Sequence, residues 1–290
     1  MQKIKPTEHI RVIFTDEQAR ELPEGQPYIS YVAFSDWTQG HQVMMHRHED
    51  LAEILIILKG HGRYSIGLHR CEIGSGDVIL CNQDVPHDEF PESDETYETL
   101  CLGVKGLQLP ELAAGQLIGD DHAPVFHRPA QFGELETLMR MILRHSGQKT
   151  RANRMLCQHL MLAVLDLTQQ MTAGAKPEPI PQERELIVRV EKYIDRYYAR
   201  DLSIERLSQR FYISSYHLAH LFKKYTGYTI KQYILRRRVG EAQVMLYDTT
   251  DSISEIAQAV GFEDAAYFSR LFSKYVGMSP REYREFRIKK

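Results

Sequence analysis

Hydrophobic positions follow two different patterns along the 290-residue chain, and the change between them divides it. From about residue 28 to 104, short apolar segments such as ILIILKG and DVILCN alternate with glycine and polar residues. Short apolar runs at close intervals are typical of the strands of a β-sandwich or barrel. The pattern therefore predicts an all-β barrel over residues 1–130.

A helical period replaces the strand pattern after about residue 131. The apolar residues of a first helix recur at intervals of three and four: Leu135, Leu138, Met139 and Ile142. A second periodic segment runs from Arg151 to Met171. Because this spacing places side chains on one helix face, we predict a helical segment over 131–172. Its two helices would cover the barrel, pair two subunits, or do both.

Residues 173–183, AGAKPEPIPQE, contain three prolines within five positions. A helix cannot continue through such a stretch, so it is predicted to be a linker. The chain after it, residues 184–290, has the pattern of short helices and forms a separate all-α domain.

An internal repeat lies in this C-terminal domain. IERLSQRFYISSYHLAHLFKKYTG at 204–227 and ISEIAQAVGFEDAAYFSRLFSKYVG at 253–277 share L-F-x-K-Y-x-G. Each copy predicts a short helix, a turn and a second helix with an aromatic inner face, and Gly261 supplies the second turn. This is a helix-turn-helix, a motif whose second helix enters the major groove of DNA. A helix over 231–246 would hold the two copies at a fixed spacing.

The charge distribution supports this interpretation. The net charge of −3 hides an asymmetry, because residues 183–290 carry 20 Lys/Arg against 14 Asp/Glu while the remainder is acidic. A basic domain beside an acidic one favours nucleic-acid binding. No apolar run approaches the ~18 residues of a membrane span. The four cysteines form no C-x-x-C pair, which indicates free thiols and a cytoplasmic protein.

Residues that face outward on the two second helices are the candidates for DNA contact. Arg270 suits guanine, His220 suits a base acceptor, and Ala265 suits a thymine methyl group. Lysines, and arginines of the connecting helix, suit phosphate, although one or two of those arginines could have a structural role instead. The predicted DNA-contacting residues are Ser215, Tyr216, Ala219, His220, Lys223, Lys224, Arg236, Arg238, Asp264, Ala265, Ala266, Ser269, Arg270 and Lys274.

The second copy resembles the DNA-binding domain of the AraC/XylS family of transcription regulators. IAQAVGFEDAAYFSRLFSKYVGMSPREYR follows that family's I-A-x-x-x-G-F, Y-F-x-R-x-F and G-x-S-P-x-x-Y-R signature. The resemblance covers a little over a third of the chain. Ala265 and Ala266 stand where a Pro or Ser-type residue is common, so a base preference does not transfer. The resemblance implies promoter DNA as a partner, RNA polymerase if the protein is an activator, and a homodimer.

The barrel domain carries a candidate ligand site around HRHEDLAE, residues 46–53. This stretch fits G-x5-H-x-H-x4-E-x6-G and resembles the first cupin motif. GDVILCNQDVPH, which ends at His87, resembles the second motif but lacks a glycine usual before the histidine. Alternation along a strand predicts that His46 and His48 face inward, with Glu53 and His87 on neighbouring strands.

Three interpretations of these four residues remain open, and in the last of them the histidines are purely structural. Three imidazoles and a carboxylate suit a divalent metal, namely Zn, Ni, Mn or Fe. Alternatively, as the resemblance to sensor cupins of this family implies, the pocket binds a sugar-like effector through hydrogen bonds without metal. The predicted effector-binding residues are Tyr31, Trp37, His46, His48, Glu53, Tyr64 and His87, and the first interpretation makes His46, His48, Glu53 and His87 the metal ligands.

A metal-dependent cupin enzyme, an isomerase or dioxygenase, is a weaker hypothesis. No second cluster of acid and base residues accompanies the histidines, as general acid–base catalysis would require. An enzyme would also gain nothing from two DNA-reading units. The sequence predicts no catalytic residue, and favours a regulator that responds to a sugar-like molecule or, as an alternative, to the metal itself.

Overall fold

The computed structural model describes residues 8–14, 25–37, 43–92, 96–148, 150–177 and 181–288. The N-terminal part of these residues forms strands β1 (Glu8–Ile13), β2 (Tyr28–Trp37), β3 (Val43–His46), β4 (Leu51–Lys59), β5 (His61–Ile66), β6 (His69–Gly74), β7 (Val78–Cys81), β8 (His87–Pro91), β9 (Tyr97–Lys105) and β10 (Val125–Phe126). Six strands form one sheet in the order β1-β2-β9-β4-β7-β10, and four form a second in the order β3-β8-β5-β6. The predicted β-rich domain is thereby confirmed, and it begins with a strand that the sequence pattern did not reveal.

The burial of both faces of strand β4 explains why its sequence is almost continuously apolar. Its first seven residues are all buried. Ile54 and Ile56 pack with the helices that follow the barrel, whereas Leu55 and Ile57 pack toward the barrel interior. A strand that is covered on both faces reads as a hydrophobic run rather than an alternation.

The covering helices are α1 (Phe132–Ser146) and α2 (Arg151–Thr172). Leu135, Met139 and Met161 are fully buried in one cluster with residues of the six-stranded sheet. The helices therefore cover the barrel, which was one of the two predicted roles, and their role in pairing subunits stays a prediction. No helix among the described residues has the length and apolar character to cross a membrane.

The C-terminal domain consists of short helices, as predicted. They are α3 (Gln182–Tyr197), α4 (Ile204–Arg210), α5 (Ser215–Thr226), α6 (Ile230–Asp248), α7 (Ile253–Ala259), α8 (Ala265–Val276) and α9 (Pro280–Ile288). Helices α4 and α5 form the first helix-turn-helix unit, α7 and α8 form the second, and α6 connects them. Since α3 begins at Gln182 after Pro181, the linker ends two residues earlier than predicted.

The two helix-turn-helix units make the same turn with different residues. Gly261 has a φ of 92°, and Tyr212, at the equivalent position of the first unit, has a φ of 54°. A Cβ at Gly261 would collide with the backbone carbonyl of Ala199, so the second turn requires glycine. The side chain of Tyr212 is 97% exposed, which shows that the first turn has room for a large residue.

Helix α6 joins the two domains by packing against β3. The backbone N–H of Met44 donates to Oε1 of Gln243 at 2.9 Å, and Arg237 donates to the carbonyl of Met45 at 3.0 Å. Met44 is buried in the core around the second helix-turn-helix unit, and Met45 in the core around the first. A Cβ at Gly240 would collide with the carbonyl of Met45. Strand β3 therefore belongs structurally to both domains.

A buried polar cluster lies beneath the same helix. Arg237 is fully buried and donates to Asp195 at 2.9 Å, while the hydroxyl of Tyr233 donates to Glu191 at 3.0 Å. Burial, with the nearby Asp195 adding to it, raises the pKa of Glu191 to about 8. Glu191 therefore keeps its proton beside the ion pair of Arg237 and Asp195.

This cluster gives a stability that depends on pH. Because the folded protein holds a proton on Glu191 that the unfolded chain releases near pH 4.5, stability should fall as pH rises from about 4.5 to 8. Glu191→Gln, which is neutral at every pH, should flatten that decline and stabilise the protein at pH 8 by at least about 1 kcal/mol. Urea unfolding at several pH values measures this. The exposed control Glu263→Gln should leave the slope unchanged, and an unchanged slope in Glu191→Gln would refute the assignment.

Candidate effector site and DNA interface

The four predicted ligands meet inside the barrel, but not as the strand pattern predicted. His46 and His87 are direct register partners on the adjacent strands β3 and β8. Glu53 lies on β4 of the other sheet, so the prediction that Glu53 and His87 occupy neighbouring strands was wrong. His48 lies beyond the end of β3 rather than on it. A barrel interior brings the two sheets together, which a motif read along the chain does not show.

The loop that carries His48 is held by Asp84. The backbone N–H of Asp84 donates to the carbonyl of His48 at 2.8 Å, and its carboxylate pairs with Arg47 at 2.9 Å. Asp84 has a φ of 62°, a conformation that aspartate tolerates better than most residues. The backbone thus forms a left-handed turn in the second motif without the usual glycine.

The ligand atoms of the four residues converge. One atom from each of His46, His48, Glu53 and His87 lies within 4.8 Å of the others. Nε2 of His48 is 3.0 Å from Oε1 of Glu53, and Nε2 of His87 is 2.9 Å from Oε2. Nδ1 of His46 and of His87 each lies 3.0 Å from a backbone carbonyl oxygen. Donation from Nδ1 to a carbonyl leaves the Nε2 lone pair directed into the site.

Electrostatics favour neutral imidazoles at two of the three histidines. Burial, followed by the nearby His87 and His48, lowers the pKa of His46 well below its usual range. Burial and His87 lower the pKa of His48 in the same direction. Burial opposes a charge on His87, but Cys81 and Glu53 outweigh it and raise the pKa of His87 well above its usual range. Neutral imidazole is the form that binds metals.

The four residues line a cavity of about 350 Å³. Tyr31 and Tyr64 line it as predicted, whereas the side chain of Trp37 lies outside the described part of the structure. Sequence reasoning missed further lining residues of the β domain, chiefly Arg11, Glu89 and Lys105. It also missed the residues that the DNA-binding domain contributes to the cavity lining, namely Gly240, Gln243, Val244, Tyr247 and Tyr283. The cavity is therefore enclosed by both domains.

Most predicted DNA-contacting residues lie on the exposed faces of α5 and α8. The exposed ones are Tyr216, Ala219, His220, Lys223, Lys224, Asp264, Ala266, Arg270 and Lys274. Ser215, Ala265 and Ser269 are partly exposed. The hydroxyls of Ser215 and Ser269 donate within the domain, to Ser208 and to the carbonyl of Ala265. Asp264 caps α8 by accepting from two backbone N–H groups.

Two of the predicted phosphate contacts are corrected by the structure. Arg236 is only 6% exposed and pairs with Asp88 of the barrel at 3.0 Å. Arg238 donates to the backbone carbonyls of Tyr198, Arg200 and Gly261. Both side chains are used to hold the domains and the helical units together, so neither is available to DNA in this arrangement.

Comparisons with known proteins agree with this architecture. Residues 27–165 match the AraC-like ligand binding domain, and residues 207–285 match a helix-turn-helix domain. The chain belongs to the AraC/XylS family of transcription regulators. It is accordingly a DNA-binding regulator with a ligand-binding N-terminal domain, and not an enzyme.

Individual relatives extend over most of the chain. The HTH-type transcriptional activator RhaR of Klebsiella pneumoniae is 27% identical, covering 88% of this chain and 92% of its own. The MmsAB operon regulatory protein of Pseudomonas aeruginosa is 26% identical over 84% and 78%. ToxT of Vibrio cholerae, solved with an unsaturated fatty acid bound, has a TM-score of 0.52 at 13% identity over 99% and 98%. At that identity, ToxT shows that the fold is shared.

Proposed function

We propose that this protein is a promoter-binding regulator in which a divalent metal and a small polar effector share the barrel cavity. The convergence of the four ligand atoms within 4.8 Å of one another carries the proposal of a metal. The donor set fits, since three imidazoles and one carboxylate suit Zn, Ni, Mn or Fe. Nε2 of His48 is also buried, and although it lies 3.0 Å from Oε1 of Glu53 the geometry is not that of a hydrogen bond. The metal would supply a positive charge on which an effector's oxygen atoms can bind.

A sugar-like molecule is the proposed class of effector. The cavity is small and is lined by hydroxyl, carboxyl and imidazole groups that can hydrogen-bond hydroxyls. One relative of this chain, 23% identical over 79% of it, is the lactose operon transcription activator of Staphylococcus xylosus. We further propose that the protein is a cytoplasmic homodimer and that, if it is an activator, it contacts RNA polymerase. These features are proposed from the membership of the chain in its family.

A regulator that responds to the metal alone is the second candidate. The observation that favours it is the position of the ligands next to the domain junction. Met45 precedes His46 and accepts from Arg237, while Asp88 follows His87 and pairs with Arg236. Any shift of either histidine on metal binding would be transmitted to α6 within one residue.

Metal content tests the shared premise of both candidates. Elemental analysis of full-length protein purified without chelator should give close to one equivalent of Zn, Ni, Mn or Fe per chain. His46→Ala should lose it, because three ligands hold a divalent ion far more weakly than four. His61→Ala, at an exposed position on the same barrel, is the matched control and should retain the metal. Equal metal content in His46→Ala and wild type, or none in either, would overturn the metal centre.

A further inference from the structure

Arg11 of β1 occupies an unusual position in the cavity. Its guanidinium carbon lies 4.1 Å from the centre of the Tyr31 ring and 4.8 Å from the centre of the Tyr247 ring. Tyr31 belongs to the barrel, whereas Tyr247 belongs to α6 of the DNA-binding domain. The guanidinium is thus held between one aromatic ring of each domain, and it lines the cavity together with residues of both.

Within the described part of the chain, Arg11 has no acidic partner. Among the described residues it forms no ion pair and no hydrogen bond, and its Nε is buried without a partner. The other cations nearby differ in this respect, since Lys105 pairs with Asp50 at 2.8 Å and Arg236 pairs with Asp88. Cation–π contacts orient a guanidinium but do not satisfy its N–H donors. A cation held in a cavity without a counter-charge is the mark of a site for an anion.

The acidic residues of the cavity do not supply that counter-charge. The carboxylate of Glu53 is engaged by His48 and His87. The carboxyl group of Glu89 is also engaged, because it accepts from the Tyr97 hydroxyl at 2.6 Å. A divalent ion at the four-ligand centre would make the cavity more positive still.

We propose that the effector carries an oxyanion, a carboxylate or a phosphate ester, which binds the guanidinium of Arg11. This inference rests on the proposed function and adds a charge to the sugar-like effector proposed there. The planar fork of arginine matches carboxylate and phosphate oxygens with two parallel hydrogen bonds. The hydroxyls of such a molecule could then bind at the four-ligand centre, which lines the same cavity.

The position of Tyr247 gives this contact a regulatory consequence. An anion on Arg11 fixes the guanidinium that stacks on Tyr247, and so it acts directly on the helix that connects both DNA-reading units. An effector without an acidic group would make no ion pair with Arg11 and would leave this contact unchanged. The acidic group is therefore the part of the effector that the DNA-binding domain senses.

Matched ligands test the charge directly on the full-length protein. Binding of galactose, galacturonate and galactose 6-phosphate, and of succinamide and succinate, is measured by calorimetry with metal-loaded and with chelated protein. At least one acidic member should bind about tenfold or more tightly than its neutral counterpart. The acidic ligand that binds most tightly shows whether the site prefers a carboxylate or a phosphate ester.

Two variants test whether Arg11 causes the preference for acidic over neutral ligands. Arg11→Gln keeps hydrogen-bonding capacity but removes the charge, and it should abolish the preference while leaving the metal content unchanged. Arg63→Gln, which alters a largely exposed arginine of the same barrel, should retain the preference. Equal binding within every matched set, or a preference that survives in Arg11→Gln, would overturn the proposal. Because metal content is measured separately from ligand binding, the results distinguish the absence of a metal centre from the absence of an anion site.

Discussion

Arg237→Met is expected to lower the free energy of unfolding by roughly 3–5 kcal/mol, because it removes one partner of a buried ion pair. Arg237 is fully buried, and its partner Asp195 is 2% exposed. The same guanidinium donates to the carbonyl of Met45, so the junction between the domains would lose a hydrogen bond as well. Urea unfolding followed by circular dichroism measures the loss.

Two further variants separate the buried charge from the volume of the side chain. Arg63→Met breaks an exposed pair with Glu92, and it should cost at most about 1 kcal/mol. The double variant Arg237→Met with Asp195→Asn should recover part of the lost stability, because it removes the carboxylate that the single variant leaves unpaired. A loss below about 1 kcal/mol in Arg237→Met would show that the pair contributes no more than a surface one.

Arg270→Ala is expected to weaken binding to the preferred DNA sequence by roughly 1–3 kcal/mol and to relax the choice at one base pair. Arg270 is exposed on α8, and its guanidinium lies 6.0 Å from the ring of Tyr267, which is also exposed. Its donors can therefore reach a guanine edge when α8 lies in the major groove. Selection from a randomised DNA library, with full-length wild type and variant in parallel, reveals both effects without a known operator.

Lys274→Ala is the matched control for this experiment. Lys274 is exposed in the last turn of the same helix, where contact with phosphate is expected. Its loss should weaken binding to all sequences about equally and lower the salt dependence of binding. If Arg270→Ala also weakened binding equally on selected and on random DNA, Arg270 would not read a base.

The helix-turn-helix units were predictable because each is a local structure. The stripe of Ile256, Ala257 and Val260, followed by Gly261 and then Phe268 and Phe272, is a helix, a turn and a helix within about twenty residues. All of these apolar residues are buried in one core in the structure. The second copy of the motif and the family signature made the prediction secure. Capping by Ser252 and Asp264 also follows from the local sequence.

The ligand set was predictable only in composition. The spacing of His46, His48, Glu53 and His87 singled out four side chains, and the structure brings all of them together. Their arrangement was predicted wrongly for Glu53, because the pairing of strands is a non-local property that the sequence pattern does not encode. The engagement of the α6 arginines inside the protein was also not predictable, since Arg236 and Arg238 resemble any basic helix face until their partners are known.

The sequence by itself determined the two kinds of domain, the linker between them, the two DNA-reading units and the four residues proposed to bind a metal. Each of these depends on spacing within a short segment or on a motif. Tertiary structure alone decided that β3 packs on α6, that Arg236 and Arg237 are buried at the junction, and that Tyr247 closes the cavity over Arg11. These contacts join residues that lie about 150 to 240 positions apart in the chain, and no local pattern predicts which distant surfaces meet.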